Sequence, residues 1–378
     1  MNERVLIAHM GSILEYPPIL NLIMNLLVNK KKVTLISSDT NNKLPRKIRD
    51  NVNFNFFPIP VTYGTSLIER LKRRFIVNQE FRRIVDNKMK EADVIWTTTD
   101  LTVRCLGKIL FKYKHVMQLM ELEESFPLYR GAKYLKFGID EYARKAWKVV
   151  VPEENRAYIQ KVWWDLPKLP YVLPNKPYQL SSGRVPDSMK EVLNEYNKER
   201  RKIVLYLGIV GKDRNLDAFA TAIDRLGGEY CLYIVGSVRK SEEENFEKLV
   251  KNHVNVKYLG YFPAPKHLLF LKKAYIGVLP YIPGKDLLHS SLNALYCAPN
   301  KIYEYSGYGV PMLGTNVLGL KLPFEKFKIG FCGELNANSI KENIKTIEKN
   351  YDKMSSNCFD FFNSTDLDEI VRSILEDR

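Results

Sequence analysis

Lys301 and Glu304 stand three residues apart in the run Pro299 to Leu313, PNKIYEYSGYGVPML. On a helix that spacing puts a cation and a carboxylate on one face, where both can meet one ligand. Asn300 is a good N-cap, Pro299 closes the preceding loop, and Gly307 and Gly309 stop the helix before a short apolar strand, Val310 to Leu313. The start of such a helix has free backbone N–H groups and a partial positive charge, which suits a phosphate, and Lys301 adds a full charge beside it. Glu304 only accepts hydrogen bonds and can take both hydroxyls of a ribose. The same spacing also fits an ordinary surface helix with an i,i+3 ion pair.

Two βα series would position this helix. The first opens with a strand Arg4 to His9, a loop with Gly11, an apolar helix Pro18 to Asn29 and a strand Lys32 to Ser37. Further strands are expected at Val52 to Pro58, Asp93 to Thr98, Val116 to Met120 and Val149 to Val151, with helical patterns between them. Alternation of this kind implies α/β architecture with a doubly wound parallel sheet. Gly11 is the lone glycine of the opening turn, so the G-x-G-x-x-G of dinucleotide binding is missing. Around LPYVLPNKPYQL, Leu169 to Leu180, apolar alternation stops and prolines mark a hinge. A second series follows: Lys202 to Leu207, helix Leu216 to Leu226, Tyr230 to Val235, helix Glu242 to Asn252, Val254 to Leu259, helix Lys266 to Lys273 and Ile276 to Leu279. A chain of 378 residues with 45% hydrophobic content can bury two such cores.

The Pro299 to Leu313 segment resembles the nucleotide-sugar site of GT-B glycosyltransferases, especially those of glycosyltransferase family 4, whose pattern is P-x-K-x-x-E-Y-x-x-x-G-x-P. Pro299, Lys301, Glu304, Tyr305, Gly309 and Pro311 fill its fixed positions. The resemblance implies two Rossmann-like domains facing a cleft: an acceptor-binding domain 1–175, a donor-binding domain 176–355, and a C-terminal helix 356–378 crossing back to the first. It implies a donor site in which Glu304 holds ribose, Lys301 meets the diphosphate as a catalytic residue, and Asn300, Gly11 and Gly208 line the ligand. No cofactor is implied beyond the nucleotide-sugar substrate.

Two departures from the family pattern bear on that site. After the glycine the family shows G-R-x-x-x-x-K-G, whereas this chain reads GIVGKDRN from Gly208. Ile209 replaces the arginine, Arg214 stands for the lysine and Asn215 for the second glycine, so Lys301 carries more of the charge or Lys212 substitutes. Arg214 can still grip phosphate bidentately, or it is a surface arginine at a helix start. The family's Glu-x7-Glu motif keeps its second member, Glu304, but has Tyr296 in place of the first. Sugar recognition then falls to the loop Pro280 to Ala298, with Tyr281 and Asn293 as hydroxyl binders and His289 and Tyr296 nearby.

In the first domain, strand Val116 to Met120 runs into Glu121, Glu123 and Glu124. Ligands of open α/β sheets collect at such strand ends, and Glu121 is the acid placed to activate an acceptor hydroxyl; a solvated acidic loop is the other reading. Relatives often have a His-Glu pair here, but Met120 occupies the histidine's place. The stretch Ser66 to Lys90 combines Leu67, Ile68, Leu71 and Phe75 with Arg70, Arg73, Arg74 and further cations. It reads as a basic amphipathic helix for an anionic membrane, or as a helix packed on its sheet.

Net charge is +15, and the first 175 residues carry most of it, with 29 Lys and Arg against 18 Asp and Glu. A phosphorylated or membrane partner fits that excess, and no nucleic-acid motif accompanies it. No apolar run approaches the roughly 20 residues a membrane helix needs, and MNERVLIAHM begins as a strand rather than a signal peptide. The expected setting is cytoplasmic, at the inner face of the cell membrane. Five scattered cysteines lack ligand spacing, and the D-x-D at Asp366 to Asp368 falls in a helix, so no metal site is expected. The expected function is transfer of a sugar from a nucleotide diphosphate sugar to a glycan or lipid-linked acceptor, retaining and metal-independent, in cell-surface polysaccharide or glycoconjugate synthesis. The rivals are a nucleotide-sugar 2-epimerase on the same fold and a non-catalytic partner protein.

Overall fold

The computed structural model describes residues 3–59, 67–127, 135–180, 185–284 and 290–376, with side chains from residue 75 onward in the helix Leu67–Lys88. The chain divides into two compact units, Met1–Tyr178 with Leu367–Arg378, and Gln179–Asp366. The crossing segment expected to begin at residue 356 begins at Leu367 in this division, because Cys358 and Phe361 are buried in the second unit's core.

The first unit is built on β1 (Arg4–Ala8), β2 (Lys32–Ser37), β3 (Phe54–Pro58), β4 (Val94–Thr97), β5 (His115–Gln118), β8 (Lys148–Val151) and β9 (Tyr171–Val172), all parallel, in the order β3-β2-β1-β4-β5-β8-β9. A short antiparallel pair, β6 (Phe126–Pro127) and β7 (Lys136–Phe137), stands apart from it. Strands such as RVLIA and VIWT are apolar on both faces because helices cover both sides of a parallel sheet. The helix Leu367–Leu375 joins that cover: Leu367, Val371, Ile374 and Leu375 pack with Ile19, Leu22, Ile23 and Leu26 of the helix Pro17–Val28.

The second unit repeats the plan with β10 (Lys202–Leu207), β11 (Tyr230–Val235), β12 (Val256–Tyr258), β13 (Ala274–Leu279), β14 (Met312–Thr315) and β15 (Gly330–Gly333), again parallel, ordered β12-β11-β10-β13-β14-β15. The strand expected at Val310 to Leu313 begins two residues later, because the Val310 N–H is donated back to Tyr305 O at the end of the preceding helix. Lys266 to Lys273 forms a 3-10 helix rather than an α-helix.

The basic helix Leu67–Lys88 buries Phe81 and Val85 against the first sheet, and Val77 is buried as well. Phe75 and Ile76 are each 61% exposed, so Phe75 does not join the packed stripe. Arg70, Arg73 and Arg74 lie in its first two turns, whose side chains are outside the described residues.

Candidate functional site

The strand order of the second sheet reverses between β10 and β13, the point at which open α/β sheets bind ligands. A pocket of about 140 Å³ opens there. Its walls are Tyr206 to Ile209 at the end of β10, Val278 to Tyr281 at the end of β13, and the side chains of Asp213, Arg214, Arg239 and Lys301. Gly208, with φ of +148°, is what lets Lys301 in: a Cβ there would sit 3.1 Å from Lys301 Cε and 3.2 Å from the Tyr206 hydroxyl.

Lys301 comes from the helix Asn300–Ser306, which Tyr305 fixes under the sheet by donating from its hydroxyl to Leu205 O at 2.9 Å and accepting from Leu207 N at 3.2 Å. The cap differs from expectation. Pro299 occupies the N-cap and Asn300 is the first helical residue, with no side-chain capping bond. At seven residues the helix has less than two full turns, so the charge at this wall is chiefly that of Lys301. Burial pushes the Lys301 ammonium below its ordinary pKa and Arg214's charge adds to that, against the pull of Glu304.

Glu304 is 5% exposed. Burial pushes its carboxyl up, but neighbouring His267 and then Lys301 outweigh it and leave the group below the ordinary carboxylate range. His267, on the 3-10 helix after β12, places Nε2 3.3 Å from Glu304 Oε2, at ion-pairing distance but off the line of a hydrogen bond. Sequence reading missed His267. It lies 37 positions before Glu304, and no local pattern announces the pairing.

Arg214 donates to the Asp213 carbonyl and carboxylate, both at 2.7 Å, and its guanidinium lies 3.8 Å from the centre of the Tyr281 ring. Tyr281 is therefore the platform on which Arg214 rests. Asp213 also takes Arg239 at 2.9 Å, a second residue that sequence reading missed. Gly208, Arg214, Tyr281 and Lys301 thus meet in one pocket, with Glu304 one turn along the helix. Asn293 lies in the short helix Ser291–Leu295 and Tyr296 follows it, while His289 is outside the described residues.

Gly11 and Glu121 belong to the first unit. Glu121 is exposed just past β5, whereas Glu123 is buried, so the three acids do not share one face. Arg156 holds the segment by donating to Met120 O at 3.0 Å, and Trp164 by donating to Glu124 O at 2.8 Å. Glu121 has acidic company from another strand end: burial pushes the Asp100 carboxyl up despite its 3.2 Å pair with Arg104, and the charge of Glu121 adds to the rise. Tyr16 is raised by burial and by Glu15, Glu121 and Asp100 together. Its ring meets His9 edge-on at 5.0 Å, and His9 Nδ1 pairs with Thr98 Oγ1 at 2.9 Å.

The D-x-D has a structural use. Asp368 accepts from Asn25 at 2.6 Å and Asn29 at 2.9 Å, tying the helix Leu367–Leu375 to Pro17–Val28. Among the described residues no three or more His, Cys, Asp or Glu side chains converge as a metal site, and no helix is long and apolar enough to cross a membrane.

No protein-family model and no curated protein matches the sequence. Solved structures do. HepE of Anabaena in complex with UDP and glucose superposes with a TM-score of 0.68 at 13% identity over 98% of both chains. WaaG, a glycosyltransferase involved in lipopolysaccharide biosynthesis, gives 0.59 at 15% identity over 98% of both. A protein of Listeria monocytogenes assigned as a UDP-N-acetylglucosamine 2-epimerase gives 0.59 at 12% identity over 99% of this chain and 95% of that one. With its two parallel sheets and whole-length likeness to these enzymes, the chain has the GT-B glycosyltransferase fold.

Proposed function

We propose that the protein is a glycosyltransferase that takes a sugar from a nucleotide diphosphate sugar and delivers it to a glycan or lipid-linked acceptor at the inner face of a membrane, in cell-surface polysaccharide or glycoconjugate synthesis. The observation that carries the reading is the convergence of Lys301 and Arg214 on one pocket at the strand-order reversal, with buried, ionised Glu304 alongside. In this reading the cations bind the diphosphate and stabilise the charge that develops as it leaves, which makes a metal ion unnecessary. Glu304 accepts from the ribose hydroxyls, Gly208 allows the phosphates close to the backbone, and the anomeric configuration is retained. Asn300 and Tyr281 complete the donor's surroundings, and Glu121 serves the acceptor hydroxyl. Solved relatives of the fold crystallised with UDP and UDP-glucose support a nucleotide-sugar donor.

Exposed Phe75 and Ile76 beside the basic first turns of the helix Leu67–Lys88 support docking on an anionic bilayer, with apolar side chains entering the interface and cations meeting the headgroups.

Binding and hydrolysis scored across a panel of UDP-, GDP- and other nucleotide sugars test the assignment, and absence of binding to all of them would overturn it. The fold likeness to a protein assigned as a UDP-N-acetylglucosamine 2-epimerase favours one second reading, a nucleotide-sugar 2-epimerase, which needs paired carboxylates for proton chemistry at the sugar. Donor incubated without acceptor separates the two: an epimerase isomerises the sugar, whereas a transferase releases nucleoside diphosphate only slowly until acceptor is added.

A further inference from the structure

We propose that Arg239 is a third phosphate-binding cation of the donor pocket, supplied from the loop after β11, and that Asp213 holds it and Arg214 as a stand-in for the diphosphate until the donor arrives. The inference rests on the nucleotide-sugar reading of the pocket and deepens it.

The position directly after Gly208, where the resembling pattern has an arginine, holds Ile209, 54% exposed and chemically unable to meet a phosphate. Lys212, the nearest cation in sequence, does not fill the gap. It is exposed and lines a neighbouring groove with Asn245 and Lys248 rather than this pocket. Arg239 lines the pocket itself.

Its placement is built into the backbone. Val210 pairs in parallel with Val238, Val210 N donates to Ser237 O at 2.8 Å, and Arg239 N donates to Val210 O at 3.0 Å, so the loops after β10 and β11 are joined at the pocket rim. Gly211 leaves the room: a Cβ there would stand 3.0 Å from Arg239 Cδ and 2.9 Å from Asp213 Oδ1.

The local chemistry matches the ligand. Asp213 gives one oxygen to each guanidinium, Oδ2 to Arg214 at 2.7 Å and Oδ1 to Arg239 at 2.9 Å. An anion that bridges two guanidiniums with separate oxygens is the arrangement a diphosphate would adopt there, with stronger charge-assisted bonds. The Arg239 side chain is 51% exposed, and so open an ion pair contributes little. Exchange of the carboxylate at Arg239 for a more highly charged ligand therefore meets small resistance.

The test uses the full chain and isothermal titration with UDP, GDP, UMP and GMP as probes. Arg239→Ala is expected to weaken the diphosphate that the wild type binds by about tenfold, the loss of one charge-assisted contact, and to weaken the matching monophosphate by less than about threefold. Arg239→Lys should recover part of the loss. Asp213→Asn should tighten the diphosphate, because a competing anion is removed. Equal diphosphate affinity in wild type and Arg239→Ala, or an equal loss for mono- and diphosphate, overturns the role of Arg239 while the pocket's assignment stands; weaker binding in Asp213→Asn overturns the stand-in role. A wild type that binds no nucleoside diphosphate, with ADP, CDP and dTDP tried beside UDP and GDP, defeats the underlying reading, and this inference with it.

Discussion

The ends of the two sheets invert the charge of the halves that carry them. The first 175 residues hold 29 Lys and Arg against 18 Asp and Glu, yet the strand ends of the first unit gather Asp39, Asp100, Glu121 and a buried His9. The second half is nearer neutral, with 29 against 25, and its strand ends gather Lys301, Arg214 and Arg239. Bulk charge therefore describes the outer surface of each half, while ligand chemistry follows from the few side chains that the sheet reversal brings together.

The largest test of this contrast is acid. His9 and His115, both in the first unit, are 1% and 2% exposed, and burial pushes their imidazoles down to about 4 and about 3. An unfolded chain protonates them near pH 6.5, so the stability they carry is whole above that value and drains as pH falls from 6.5 toward 4. The loss approaches roughly 3 kcal/mol per histidine at the lower end. Thermal unfolding followed between pH 7.5 and 4.5 should show the first unit melting progressively earlier than the second. If both keep their order and spacing across the range, the contrast is broken.

Lys301→Ala comes next, with turnover expected to fall roughly ten- to a hundredfold for the loss of about 1.5–3 kcal/mol of charge-assisted bonding. Steady-state kinetics on a folded variant decide it, and wild-type values would remove Lys301 from the phosphate site. Glu304→Ala should weaken free nucleoside diphosphate by about tenfold. Titration with the diphosphate checks this, and unchanged affinity would mean that the ribose lies elsewhere. Reversing Arg70, Arg73 and Arg74 to Glu removes attractions of about 1 kcal/mol per cation near an anionic surface. Co-sedimentation with anionic vesicles at low salt should be lost while transfer to a short soluble acceptor survives; equal sedimentation of the variant refutes membrane docking. The smallest expected effect is that of EDTA, which should leave activity largely intact. Complete loss restored by manganese would overturn the metal-free mechanism.

The sequence made the interior strands legible because their burial on both faces forces continuous apolar runs. Lys32–Ser37, Lys202–Leu207 and Tyr230–Val235 end where the residues alone would end them. It was poorer where polarity or a breaker blurs the pattern. The helix Leu318–Phe327 contains Pro323, and the four-residue β15 begins and ends on glycine, so neither carries a periodic signal. At the candidate site, Lys301 and Glu304 were legible because they share one helix and a fixed spacing. Arg239 and His267 were not, since each is defined by a partner 26 or 37 positions away that only the folded loops bring close.

One contact bears on how the molecule is made. Asn25 and Asp368 are 343 positions apart and hydrogen-bonded within the first unit, with Leu367, Val371 and Ile374 completing its apolar cover. A ribosome therefore releases the first sheet long before it releases the helix that finishes it. Until the closing residues emerge, Ile19, Leu22, Ile23 and Leu26 have lost part of their partner surface, and the nascent chain must wait with that face open to chaperones or to other chains. The unit whose sheet is translated first is completed only after the second unit's strands have been made, and its kinetics of maturation are tied to the helix Leu367–Leu375.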